Sequence, residues 1–323
     1  MTTNSTNPRL NKIQGMLMGA FLGDALGAPH EFKCNANVPY TGKLEHKAFH
    51  ISRFQGRRES PVASTSDDTE LTLALLRQML YDGVYNQDNV TMAYLRWANS
   101  GGWAIGKNTS ELLRGVKTLR GYKGRVAKVL ALPVNERSQS NGTLMRCAPL
   151  ALLADDNAVL YDVNITNPNP INQEVGLLYV QAVREALAGV DAATIYNNCK
   201  QRASSAIIKE LFTSIDQQQG RDITDKKGWC LHAFWVAMVT LISFTDFAGA
   251  MRWIISIKGS DTDTNACIAG ALLGAVLGFE KLAEDPQTKE NIDLVIGCNT
   301  TRLVEYTASD FYQLTAAVAQ RFG

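Results

Sequence analysis

The sequence predicts an all-α protein built as one domain, and three observations carry that prediction. Apolar residues recur at helical spacing over most of the 323 residues. Strand-like alternation is scarce. No break in composition and no repeat of fixed period divides the chain. Hydrophobic residues make up 46% and charged residues 20%, a globular composition with enough apolar matter for a sizeable core. The expected boundaries are a flexible tail over residues 1–10 and a single domain over 11–323.

The elements follow in order. Asn11 to Gly27 is apolar with small residues and reads as the first helix. Glu70 to Tyr81 carries the stripe Leu71, Leu75 and Leu76. The same spacing predicts helices over Val90–Trp97, Ser110–Leu119, Glu174–Ala188, Ala192–Phe212, Trp229–Ser243, Ala248–Ile257, Asn265–Ala283 and Tyr312–Arg321. Stretches rich in Pro, Gly or Asn predict loops over Ala36–Pro61, Gly121–Gly142 and Ile165–Gln173.

Bulk properties exclude several classes. The formal net charge is +1 and there is no long basic run, so binding to nucleic acid through bulk electrostatics is not indicated. A small or phosphorylated ligand, or a protein substrate, fits better. The cysteines Cys34, Cys147, Cys199, Cys230, Cys267 and Cys298 are scattered without a Cys-x-x-Cys pair, which argues against zinc or a redox dithiol and for a reduced cytoplasmic setting. Met1–Pro8 is polar and has no secretory h-region. The most apolar runs, Cys230–Phe244 and Ala266–Phe279, fall short of the ~20 residues that span a bilayer. The expectation is a monomer with no membrane and no nucleic-acid partner.

Two helices share a glycine ridge. Gly15, Gly19, Gly23 and Gly27 fall every fourth residue, as do Gly270, Gly274 and Gly278, and that spacing puts each set on one helix face. Each glycine costs about 0.8–1 kcal/mol relative to Ala in a helix interior. The repeated cost points to something that must approach the backbone closely, such as another helix. Acids adjoin both ridges, so these helices are expected near the centre of a site, although tight packing without a function explains the glycines equally well.

The acids themselves cluster. Ser66-Asp67-Asp68-Thr69 and Asp261-Thr262-Asp263-Thr264 each open a helix-like apolar stretch. Carboxylates and hydroxyls are hard oxygen donors suited to Mg²⁺, Mn²⁺ or Ca²⁺, and the four carboxylates brought together would repel without cations between them. Helix capping is the plain alternative, since Asp67 with Glu70 matches a capping box. Two acids at each helix start exceed what a cap needs. Asp24 sits alone among apolar and small residues, and Glu31 follows the end of that helix. Ser138-Gln139-Ser140-Asn141-Gly142 holds an Asn-Gly turn whose N–H groups are suited to phosphate oxygens, or to a plain turn. Trp103 and Trp229, near glycines, pack in a core or stack a base. His30, His46, His50 and His232 share no ligand spacing.

Together these segments resemble the ADP-ribosylglycohydrolase family, the group that includes the dinitrogenase reductase-activating glycohydrolases. The matching pieces are Gly15–Glu31, Ser66–Thr69, Ile105–Thr109, Asn141-Gly142 with Met145-Arg146, and Gly259–Thr264, in the family's order. The resemblance implies a compact orthogonal helical bundle with two Mg²⁺ (or Mn²⁺) ions. It implies metal ligation by Ser66, Asp67, Asp68, Asp261, Asp263 and Thr264, and catalytic roles for Glu31 and Asp263. It implies substrate contacts from Asp24, Gly106, Ser138, Gln139, Asn141, Gly142 and Asn167. Two positions depart from the family pattern: Ala104 stands where Asp is frequent, and Asn167 where His is frequent.

The implied reaction is hydrolysis of the glycosidic bond at C1″ of ADP-ribose, releasing it from a modified protein or related conjugate. A catalytically silent ADP-ribose binder on the same scaffold, and a phosphohydrolase on an unrelated helical fold, are the competing readings.

Overall fold

A computed structural model describes residues 7–31, 38–52, 56–102 and 104–323. Fifteen α-helices stand among them. The chain runs α1 (Pro8–Gly27), then a hairpin of β1 (Phe49–Ser52) and β2 (Gly56–Glu59) paired antiparallel from Phe49 opposite Glu59 to Ser52 opposite Gly56. Next come α2 (Asp67–Asp82), α3 (Gln87–Ala98), α4 (Lys107–Leu113), α5 (Leu119–Leu130), α6 (Asp156–Thr166) and α7 (Pro170–Leu187). The remainder is α8 (Ala192–Arg202), α9 (Ala206–Asp216), α10 (Cys230–Ser243), α11 (Phe247–Ser256), α12 (Thr262–Leu277), α13 (Phe279–Ala283), α14 (Pro286–Ile296) and α15 (Phe311–Phe322). The all-α expectation holds, with the hairpin as a small addition inside the segment expected as loop. Cys34 and Trp103 lie outside the described residues, and the five other cysteines are free. Among the described residues no helix is long and apolar enough to cross a membrane.

Several boundaries differ, each for a local reason. α1 begins at Pro8, inside the expected tail, because the Asn7 side chain accepts the Arg9 N–H at 2.9 Å and proline suits the first helical turn. The stretch expected as one helix from Ala192 to Phe212 breaks in two, since the Glu174 carboxylate captures the N–H groups of Ser204 and Ser205 at 2.6 and 3.0 Å. The expected Asn265–Ala283 helix breaks at Gly278, which takes φ +83°. Gly115 at φ +73° ends the helix expected to reach Leu119. The segment Gly121–Gly142, expected as loop, contains α5, whose start is capped by Thr118. α6 and α14 stand where no element was expected.

One cluster of buried apolar side chains runs through the molecule, and α1 and α12 form its axis. They lie antiparallel with their glycine ridges face to face. A Cβ on Gly15 would stand 2.2 Å from the Gly274 carbonyl oxygen, one on Gly19 2.1 Å from that of Gly270, and one on Gly23 2.1 Å from that of Ala266. Nothing but backbone lies between the helices there. Residues Ile13–Gly27 of α1 are all buried, as are Thr262–Ala275 of α12. The glycines thus set an approach that side chains would forbid, and the approach fixes which residues meet at the helix ends.

Gly19→Ala forces this pair apart and is expected to cost about 1–3 kcal/mol or more in chemical denaturation. Gly124→Ala serves as its contrast: that glycine lies within α5, a Cβ there meets nothing within 4 Å, and the change is expected to stabilise by about 0.5–1 kcal/mol. Equal effects at the two positions would refute the backbone-contact account.

Candidate metal centre and active site

Because α1 and α12 are antiparallel, the end of one meets the start of the other. A Cβ on Gly27 would lie 2.5 Å from the Asp263 Cα. The Thr262 hydroxyl donates to the Gly27 carbonyl at 2.9 Å and pins the joint. Asp24 and Glu31 thereby come beside Asp261 and Asp263. The third contributor, α2, is drawn in by Asp24. That carboxylate is fully buried and accepts from the Ser66 N–H at 3.1 and 2.9 Å, the Thr69 N–H at 3.1 Å and the Thr69 hydroxyl at 2.6 Å.

The result is a compact set of carboxylates. One oxygen each from Asp24, Asp68 and Asp263 lie within 4.8 Å of one another, and so do oxygens from Glu31, Asp261 and Asp263. Asp263 belongs to both groups. The first turns of α2 and α12 both end here, so their positive N-terminal ends face the acids. Burial, followed by the negative charge of Asp24 and Asp261, holds the Asp68 carboxyl well above its ordinary range. Asp263 is raised likewise by burial, Glu31, Asp261 and Asp68. Glu31 is raised by burial and by Asp261 and Asp24, with Lys227 opposing. Asp67 is raised by burial and then by Asp68. Asp68 Oδ1 is buried without a hydrogen-bond partner among the described residues. An all-oxygen donor set with an orphaned buried oxygen and mutual repulsion fits hard divalent cations.

The expected residues are distributed as follows. Asp68, Asp261, Asp263 and Glu31 fall in the two carboxylate groups. Asp67, Ser66 and Thr264 flank them; the Ser66 hydroxyl donates to Asp68 Oδ2 at 3.0 Å, and the Thr264 N–H donates to Asp263 Oδ1 at 2.8 Å. Ser66, not Asp67, caps α2, receiving the Asp68 N–H at 3.3 Å. The Asp67–Glu70 capping box, the plain alternative for these acids, does not form. Glu70 is one position too late for it and turns to the Trp97 indole N–H at 2.6 Å and to the Arg302 guanidinium at 2.6 and 2.8 Å. Asp24, a candidate substrate contact, has both oxygens engaged with α2 through Ser66 and Thr69.

The Asn-Gly loop closes one side. Asn141 Nδ2 donates to Asp261 Oδ2 at 2.8 Å. The loop is paired to the strip before α10 by Asn141 N–H to the Gly228 carbonyl at 2.8 Å and Cys230 N–H to the Gln139 carbonyl at 2.9 Å. The Trp229 indole N–H donates to Gln139 Oε1 at 2.8 Å, and Arg221 and Lys226 each approach its ring to 5.3 Å. Asn167, also expected at the substrate, is fully buried and donates to the Ser138 and Ser140 hydroxyls at 3.3 and 3.0 Å. It braces the loop from behind. Beneath the loop the wholly buried Arg146 donates to the Gly142 carbonyl at 2.7 Å and pairs with Asp162 at 3.0 Å. Asp162 in turn accepts from the Tyr94 hydroxyl at 2.8 Å.

Gly106 is exposed at the start of α4, and the next turn abuts the loop: the Thr109 hydroxyl is 3.5 Å from where a Gly142 Cβ would stand. Ala104 packs on Ala28 and Ala48 at φ +62°, a left-handed backbone that Asn or Asp accepts more readily than Ala. Sequence reasoning missed Arg302 and Trp97, because neither lies near a motif, and it did not single out Thr109 at the end of the Ile105–Thr109 segment.

The loop before α10 carries a pH-sensitive joint. His232 is 4% exposed; Arg221 Nε donates to its Nδ1 at 2.8 Å, and its Nε2 faces the Asp225 carbonyl at 2.9 Å. Burial and then Arg221 lower its pKa to about 4, below the ~6.5 of an unfolded histidine. The neutral ring therefore contributes stability that is whole above about pH 6.5 and is lost as pH falls toward 4. Thermal melts at about pH 7.5 and about pH 4.5 are expected to show a smaller acid-side drop for His232→Gln than for wild type. Equal drops would sink this assignment.

The arrangement can be set against known proteins. The chain is 26% identical over 300 residues to a protein of Acanthamoeba polyphaga mimivirus whose name assigns it provisionally to the ADP-ribosyl glycohydrolases, covering 82% of this chain and 86% of that protein. It is 26% identical over 288 residues to the ADP-ribosyl-dinitrogen reductase glycohydrolase of Rhodospirillum rubrum, covering 86% and 90%. A solved structure described as an ADP-ribosylglycohydrolase-related protein complex matches with a TM-score of 0.70 at 20% identity, over 98% of this chain and 99% of that one, and shows the shared fold. The family model for ADP-ribosylglycohydrolase matches residues 5–318, and the chain belongs to that family of hydrolases.

Proposed function

We propose that this protein hydrolyses the glycosidic bond at C1″ of ADP-ribose, releasing it from a modified protein or related conjugate with the help of two divalent cations, Mg²⁺ or Mn²⁺. One observation carries the reading: two groups of carboxylates share Asp263 at the meeting point of α1, α2 and α12. Asp68 and Asp263 would hold one ion, and Asp261 and Asp263 the other, with Ser66, Asp67 and Thr264 as flanking oxygens and Asp24 and Glu31 beside them. Bound there, the cations would orient sugar hydroxyls and lower the pKa of a water.

The chain's own residues divide the remaining work. Glycoside hydrolysis passes through an oxocarbenium-like state. The concentrated carboxylate charge is suited to stabilising the positive charge that develops at C1″. Glu31, partly exposed and grouped with Asp261 and Asp263, is placed to serve as the general base. Asn141 orients Asp261 through its 2.8 Å hydrogen bond. The loop Ser138–Gly142 and the exposed turn at Gly106 offer backbone N–H groups to a diphosphate. Asp24 and Asn167 keep these pieces in register.

Chelation with EDTA is expected to abolish release of ADP-ribose from an ADP-ribosylated protein, and added Mg²⁺ or Mn²⁺ to restore it. Activity that persists after complete metal removal would refute the reading. Release of phosphate in place of ADP-ribose would show a phosphohydrolase, and ligand binding without turnover a silent binder. Asp263→Ala removes the shared ligand and should lower kcat/KM by more than about 100-fold, while Asn141→Ala, which only frees Asp261, should weaken metal binding by about 10–100-fold. Calorimetric titration with Mn²⁺ checks the second figure, and an unchanged affinity would count against Asn141 as an orienting group.

A further inference from the structure

Charge is distributed unevenly on this molecule. The formal net charge is +1, yet between Glu111 and Glu136 the chain carries Arg114, Lys117, Arg120, Lys123, Arg125 and Lys128 and no acid. No two of these are adjacent in sequence. Helix formation gathers them: in α5, Arg120, Lys123 and Lys128 fall on one side at offsets of three and eight residues. Lys123 pairs with Asp88 at 3.4 Å, and Arg125 is tied to the Glu111 and Arg114 carbonyls at 2.8 and 2.7 Å. Lys117, Arg120 and Lys128 are exposed and stand in no ion pair among the described residues.

Position gives the patch its meaning. α4 and α5 form the rim beside the Asn-Gly loop. Thr109 of α4 abuts Gly142, and Asn108 Nδ2 donates to the Thr166 carbonyl at 2.9 Å, next to the Asn167 that braces Ser138 and Ser140. α5 itself buries only Tyr122, whose hydroxyl donates to the Ile165 carbonyl at 2.9 Å. Val126 and Val129 pack part-buried against the core, and the opposite face of the helix, about 18 Å long, is exposed. At its end and just beyond, Leu130, Leu132 and Val134 are 49%, 41% and 48% exposed. A one-helix patch mixing lone cations with exposed aliphatic side chains matches a protein surface. A nucleic-acid binder is usually basic as a whole, with a pI above about 9, whereas this chain has a pI near 7.6.

We propose that the α4–α5 rim docks an acidic surface on the protein that bears the ADP-ribose, so that acceptors flanked by Asp or Glu are favoured. The inference rests on the functional reading above. Lone surface cations opposite acids raise association rate and select partners. The rim residues lie apart from the carboxylate groups, so their effect is confined to the macromolecular part of the substrate.

The test uses two synthetic peptides with ADP-ribose on the same residue, one flanked by glutamates and one by lysines, together with free ADP-ribose. Fluorescence anisotropy compares the wild-type protein with the triple variant Lys117→Glu, Arg120→Glu, Lys128→Glu. The wild type is expected to favour the glutamate-flanked peptide by at least about fivefold at low salt, with the preference shrinking as salt screens it. The variant should lose or invert the preference while binding free ADP-ribose as the wild type does. A wild type that binds free ADP-ribose but both peptides alike, or a preference that survives in the variant, overturns the docking surface. So does duplex DNA that displaces the acidic peptide and binds more tightly. A wild type that does not bind free ADP-ribose overturns the functional reading itself, and the rim's role with it.

Discussion

The structure depends on two helices touching through their backbones. α1 and α12 approach until the carbonyls of Gly270 and Gly274 occupy the space that side chains on Gly19 and Gly15 would fill. The site is a consequence of that approach. Once Gly27 lies against Asp263, the acids that follow α1 and those that open α12 have no choice but to share a small volume. Several carboxylates within 4.8 Å of one another are unfavourable on their own, because burial and like charge both oppose ionisation. Two helix N-termini moderate that cost, and oxygen-seeking cations would reverse it. The fold thus spends close packing on holding a charge arrangement that loose packing would let relax.

Around this axis the polar side chains act mostly on each other. Asp24 is occupied by Ser66 and Thr69, Asn141 by Asp261, Asn167 by Ser138 and Ser140, and Arg146 by Gly142 and Asp162. Each motif contributes one residue that faces the centre and another that fixes the first. Arg302 extends the pattern to the far end of the chain: with Trp97 it neutralises Glu70, so that this acid does not add an uncompensated charge beside Asp67 and Asp24.

The central chemistry was legible in sequence because it is locally written. Adjacent acids at helix starts and glycines at four-residue spacing keep their meaning without a structure. What could not be read was long-range or masked by ambiguous residues. Arg302 meets Glu70 across 232 positions, and no spacing rule reaches that far. Prolines misled in a consistent way. Asn169-Pro170 read as loop and Asp285-Pro286 was given no element, yet in each the first residue caps a helix and the proline occupies its first turn, as Asn7-Pro8 does for α1. Gly121 and Gly124 likewise hid α5, although Gly124 is surrounded by open space and tolerates the helix at a modest entropic cost. Asp24 and Asn167 were found as residues, but their pairing with Ser66 and Thr69, and with Ser138 and Ser140, was not, since a side chain's direction is set by neighbours that only the folded chain supplies.

The order of synthesis bears on the same axis. Every residue from Ile13 to Gly27 is buried, so α1 has no face suited to water. The partner that covers it, beginning with the Thr262 that seals Gly27, lies 235 residues downstream. At roughly 5–20 residues per second, the first helix leaves the ribosome roughly ten to fifty seconds before its mate exists. During that interval its glycine groove can only be shielded by earlier-made segments or by a chaperone. The assembly of the carboxylate cluster is thus a late event, completed when nearly the whole polypeptide has been made.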